Sequence, residues 1–212
     1  MCIRDRLCLG LKYENKKVWF LLPFSMLISF LCMQTPSAYI NILILIIVFI
    51  YSLKNFQNKC LFSFLYGCLS SLIFLISYFL IFEIPIINFI EQYILFPISI
   101  GSNRIAGGEG AFVTLYEKLT FRGIIGHFKF IHLAIIFLII SFLFKKKKNE
   151  QIPFNDYLIL IIIISSSYLY VFNQLLTANQ TFIFSLIPLI TGFAHVYLKN
   201  KLDNKYLNIF II

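Results

Sequence analysis

A chain of 212 residues that is 60% hydrophobic and 18% aromatic carries more apolar surface than one water-soluble core can hide, which excludes a soluble globular domain. Its net charge of +9 gathers largely in short lysine clusters beside apolar runs, so it marks membrane topology rather than a nucleic-acid partner. The five cysteines, Cys2, Cys8, Cys32, Cys60 and Cys68, form no CxxC pair, and no metal site, disulfide framework or cofactor is read from them.

The opening residues 1–6 (MCIRDR) lack the charged and apolar regions of a signal peptide. Residues 1–17 are therefore expected to be an artefactual or cytoplasmic leader outside the fold. From residue 18 onward the expected fold is all-α, a polytopic transmembrane helical bundle. Six apolar stretches are taken as spans: about 18–33, 39–53, 61–82, 124–144, 157–172 and 181–198. Residues 206–212 (YLNIFII) are expected to open a seventh, truncated span in a chain that continues. The first, second and fifth runs fall short of the roughly 20 residues that cross a bilayer, so they must borrow flanking residues. The runs are continuously apolar rather than alternating, which favours helices over a membrane barrel.

Lysines set the expected orientation, because positive residues in short loops stay on the cytoplasmic side. Lys12, Lys16 and Lys17 precede the first span, Lys54 and Lys59 follow the second, the lysines at 145–148 follow the fourth, and Lys199, Lys201 and Lys205 follow the sixth. These sets alternate onto one side. The opposite, extracytoplasmic side receives the 34–38 turn, the long 83–123 loop and the 173–180 turn, with only Arg104, Lys118 and Arg122 as bases. The expected location is the inner (plasma) membrane, crossed several times.

Within the long loop, Asn88, Glu91 and Gln92 at i, i+3 and i+4 spacing form a polar stripe among apolar neighbours, which predicts a helix lying in the interface. The segment 101–110 (GSNRIAGGEG) reads as a flexible loop able to close over a ligand, and 111–121 as a second short helix. Residues 165–167 (SSS) in the fifth span read as small residues that let helices approach.

No carboxylate falls within a span, which weighs against an ion-coupled pump. Near the outer end of the fourth span, His127, Lys129 and His132 share one helix. One reading has Lys129 snorkelling to the headgroups with the histidines satisfied at the interface. The other gathers Arg104, Lys118, Arg122, His127 and Lys129 around a lipid phosphate or pyrophosphate, with Gln174, Asn179 and Gln180 on the facing turn. His127 and His132 are five apart and lack the glutamate of a zinc helix, and the GGEG run lacks the GK[ST] of a phosphate-binding loop.

The stretch 179–192 (NQTFIFSLIPLITG) resembles a pattern of the C-type superfamily of membrane glycosyltransferases, the polyprenyl-phosphate-sugar-dependent enzymes related to protein mannosyltransferases and lipid A aminoarabinose transferases. In that pattern a late span opens at the outer face with a basic residue and an aromatic, then continues as an apolar helix with proline and a small residue. Phe182 and Phe184 take the aromatic zone, Pro188 the proline and Gly192 the small residue, while Asn179 or Gln180 replaces the base. The aromatic-proline stretch 92–101 (QYILFPISIG) resembles the outer loop of such enzymes. The resemblance implies sugar transfer from a polyprenyl-phosphate donor outside the cytoplasm, with a membrane lipid partner and an acceptor glycan, lipid or protein. An acidic base is expected in the first outer loop, yet the 34–38 turn (QTPSA) contains none, so no catalytic residue is assigned. A transporter or lipid-linked saccharide flippase is the alternative.

Overall fold

The structure, a computed structural model, describes residues 3–54, 59–106, 120–146, 152–177 and 181–198, and no strand occurs among them. α1 (Ile3–Tyr13), α2 (Lys16–Cys32), α3 (Gln34–Lys54) and α4 (Lys59–Ile81) form the first half. α5 (Ile86–Ile90), a π turn at Glu91–Leu95 and α6 (Phe96–Ala106) follow. A second π turn at Arg122–Gly126 opens α7 (His127–Lys146). α8 (Phe154–Thr177) and a 3-10 turn at Thr181–Ser185 lead to α9 (Leu186–Leu198).

Four helical segments are long and apolar enough to cross a membrane: Gln34–Lys54, Lys59–Ile81, Arg122–Phe144 and Phe154–Leu175. They cover the second to fifth expected spans and are extended by polar or kinked ends. α3 starts at Gln34 rather than 39, across an extended Thr35 (φ −114°, ψ 131°). The first and sixth expected spans are shorter. α2 has 17 residues, about 25 Å of helix at 1.5 Å per residue, against a hydrocarbon core of about 30 Å. The sixth is divided, because a 3-10 turn occupies Thr181–Ser185 and leaves α9 with 13 residues. The partial seventh span lies outside the described residues.

The leader set aside from the fold is part of it from Ile3 to Tyr13. Leu7 and Leu11 of α1 are fully buried, and α1 packs on α2 and α8. Its leucine spacing gives it an apolar face that charge and composition obscured. Asn15 then caps α2, its Oδ1 accepting the Lys17 backbone N–H at 2.9 Å.

Beyond these contacts, α2 packs chiefly on α4, α7 on α9, and α3 on α8. Contacts around Glu14 bring the lysine-flanked helix ends together. The Glu14 carboxylate accepts from Tyr51 Oη at 3.5 Å and Asn155 Nδ2 at 3.3 Å, and its carbonyl accepts the Cys60 thiol at 3.1 Å. The start of α2, the end of α3 and the starts of α4 and α8 thus share one end of the bundle. Phe142 near the end of α7 meets Tyr157 of α8 and Tyr197 of α9, with ring centroids 5.2 and 5.3 Å away, which brings the ends of α7 and α9 to that same end. The helices alternate in direction, as the lysine pattern requires.

Among the described residues, the other end is more open. No residue of α4 beyond Ser71 is buried, nor any of α5 or the first π turn. Phe89 folds back onto α4 against Phe79, 4.8 Å between centroids, and stacks on Tyr93. Asn88, Glu91 and Gln92 are exposed on this segment. Of the loop expected at 101–110, the first six residues are helical instead, because α6 continues through Gly101 to Ala106. A single helical glycine costs only about 1 kcal/mol, and serine side chains bond within this helix, Ser99 to the Phe96 carbonyl and Ser102 to that of Ser99. The remainder of that loop and most of the expected helix at 111–121 lie outside the described residues. Ser166 and Ser167 are fully buried and bond back to the Ile163 carbonyl, which absorbs their hydroxyls and leaves a small surface for packing.

Candidate functional site

The end of the bundle away from the lysines carries an irregular helix entrance. The π turn at Arg122–Gly126 is followed by a break at Phe128 (φ −108°, ψ 20°). The break disturbs the regular i to i+4 bonding, and a side chain serves a backbone carbonyl there. His132 Nε2 lies 3.1 Å from the Ile124 oxygen. A carbonyl only accepts, so Nε2 carries the hydrogen in this contact. The His132 ring also rests 5.7 Å from that of Tyr168 on α8.

Arg122, His127 and Lys129 are all exposed along this entrance. The Arg122 stem runs beside Gly126, where a Cβ would lie 3.7 Å from Arg122 Cγ. The Lys129 ammonium stands 5.1 Å from the centre of the Phe130 ring. Gln174 lies on α8 between buried Asn173 and Leu175, with its Oε1 buried and unpartnered among the described residues. Of the remaining expected site residues, Arg104 is placed by its backbone alone, in α6. Lys118, Asn179 and Gln180 lie outside the described residues. One helix entrance therefore unites Arg122, His127 and Lys129, while Gln174 belongs to the neighbouring helix.

Two acids described on this side are exposed: Glu83, in the left-handed region at φ 51°, and Glu91 at the start of the first π turn. Among the described residues no three His, Cys, Asp or Glu side chains gather in a way that would hold a metal ion.

A feature that sequence reading passed over adjoins the entrance. Tyr39, Ile42 and Ile46 of α3 and Ser165, Tyr168 and Leu169 of α8 line a groove of about 430 Å³. Tyr39 also packs edge-on to Phe172 of α8, 5.9 Å between centroids. Two tyrosines inside apolar runs were its only sequence signal, and they are also what an interfacial aromatic belt contains. The comparisons with protein-family models, curated proteins and solved structures found no match for this chain.

Proposed function

We propose that the protein is a multi-pass membrane glycosyltransferase, or the membrane part of one, taking a sugar from a polyprenyl-phosphate donor at the extracytoplasmic face. In this reading the lysine-flanked end faces the cytoplasm, and α2 and α9 complete six crossings through locally thinned bilayer. The observation that carries it is the exposed trio Arg122, His127 and Lys129 at the far end of a long apolar helix. Cations at that depth suit a lipid phosphate, whose charge grows as it leaves the sugar. The acceptor hydroxyl attacks the anomeric carbon, the bond from that carbon to the phosphate oxygen breaks, and polyprenyl phosphate departs. The base that takes the hydroxyl proton is not assigned.

A second reading, a transporter or flippase for lipid-linked saccharide, draws on the π turn and the break at Phe128. Interrupted membrane helices often border substrate sites. The two readings part in one assay. Membranes carrying the protein or its Arg104→Ala, Arg122→Ala and Lys129→Ala variants are given a radiolabelled polyprenyl-phosphate sugar. The transferase consumes the donor, and each lost phosphate contact lowers turnover by about tenfold or more with membrane insertion intact. Wild-type turnover in all three variants would sink the phosphate site. Movement of intact donor across the bilayer without consumption would favour the flippase.

A further inference from the structure

The groove between α3 and α8 has the form of a seat for a hydrocarbon chain. Its walls are two helices apolar enough to cross the bilayer, and Ile42 and Ile46 on its α3 side remain 57% and 51% exposed. From Tyr39 to Ile46 it descends about 10 Å along the helix axis. Tyr39, Ser165 and Tyr168 are its polar residues, and among the described residues no charged side chain lines it.

The α7 entrance gives this groove a chemical direction. Tyr168 lines the groove and at the same time faces the His132 ring at 5.7 Å. Lys129 lies three residues before His132, hence on a neighbouring line of the same helix and about 4.5 Å nearer the end of the bundle. A lipid whose tail occupied the groove would find hydroxyls at its neck and exposed cations beyond. That order of apolar wall, hydroxyl and cation matches a phosphate-headed lipid from tail to head.

From this continuity we infer that the α3–α8 groove holds the isoprenoid chain of a lipid phosphate whose headgroup lies at Arg122 and Lys129. The inference rests on the transferase reading for the identity of the lipid, and it adds a location that the reading does not require. The groove is a selective site, distinct from the shell of bulk lipid that covers every exposed apolar helix.

The test uses the whole chain in phosphatidylcholine nanodiscs with geranylgeranyl phosphate carrying a diazirine in its tail. Crosslinks are expected on α3 and α8 around Ile42, Ile46 and Leu169, and unlabelled isoprenyl phosphate should compete for them. Ser165→Phe and, from the opposite wall, Ile46→Phe should each fill the groove and abolish that labelling. Lys129→Ala should weaken competition by the unlabelled phosphate about fivefold, the loss expected for one interfacial cation. Retained thermal melting and Trp19 emission identify variants that remain folded.

Labelling spread equally over the exposed face of α4, or unchanged in a folded filled-groove variant, would overturn the site. Equal competition by phosphatidic acid would overturn the isoprenoid assignment. Groove labelling with no sugar turnover removes the transferase reading and keeps the groove. Turnover with labelling elsewhere does the reverse.

Discussion

Gly67 of α4 lies directly against the Phe20 backbone of α2. A Cβ at Gly67 would collide with the Phe20 carbonyl oxygen and come within 3.2 Å of its Cα. Backbone cannot yield as a flexible side chain does, so any larger residue must push the two helices apart. Gly67→Val is expected to lower stability by about 1–3 kcal/mol, the cost of an overpacked contact, and Gly67→Ser by less. Unfolding in mixed detergent micelles measures it. Equal stability of Gly67→Val and the parent would show that α2 and α4 do not meet as described.

One residue before Phe20 on α2 stands the sole tryptophan of the chain. Trp19 is 1% exposed, donates Nε1–H to the Gly10 carbonyl at 3.0 Å, and contacts the Tyr51 and Phe64 rings. Its emission should be blue-shifted and poorly quenched by both aqueous iodide and bromine-tailed lipid. Trp19→Phe retains most of the ring volume and loses the buried bond, a cost of about 1 kcal/mol, whereas Trp19→Ala should cost about 3–5 kcal/mol. Strong iodide quenching in the folded protein would contradict the placement of α1 over Trp19.

How much of this was legible in the sequence depended on which force set each feature. Continuous apolarity fixed the helical class, and the lysines foretold which helix ends would meet around Glu14 and Asn155. Hydropathy alone could not say which face of a span packs, because spans apolar all round have no polar side to exclude. The groove was hidden for that reason: Tyr39 and Tyr168 are 129 positions apart in sequence and each is ordinary by itself. Composition misplaced α1, whose buried Leu7 and Leu11 sit among charged residues. In the candidate site, Arg122, His127 and Lys129 were readable as a cluster because they lie on one short stretch. The service of His132 to the Ile124 carbonyl was not, because it follows from the break at Phe128.

That histidine offers a separate check on the α7 entrance. His132→Phe keeps a ring beside Tyr168 but removes the donor to Ile124, and should destabilise the protein by about 1 kcal/mol. His132→Ala should cost more, since it also loses the ring contact. Amide exchange should accelerate locally near Gly126 and Phe128 in both variants, with the Glu14 end unchanged. Uniform acceleration along the chain would show that His132 acts on global stability and not on the entrance.

The proposed orientation can be tested with cysteines already present. Cys32 is exposed at the end of α2 away from the lysines, whereas Cys60 is buried at the lysine-flanked end with its thiol directed to the Glu14 carbonyl. A membrane-impermeant maleimide added to intact cells should therefore modify Cys32 and spare Cys60. In a variant with Cys32→Ser, labelling should be lost from the 16–54 region, and a cysteine placed at Lys54 should react only after permeabilisation. The reverse pattern would turn the bundle over and put Arg122 and Lys129 on the cytoplasmic side, removing the extracytoplasmic lipid-phosphate reading. Labelling from the same side at positions 32 and 54 would instead mean that α3 does not cross, although its 21 residues, about 31 Å of helix, have the length to do so.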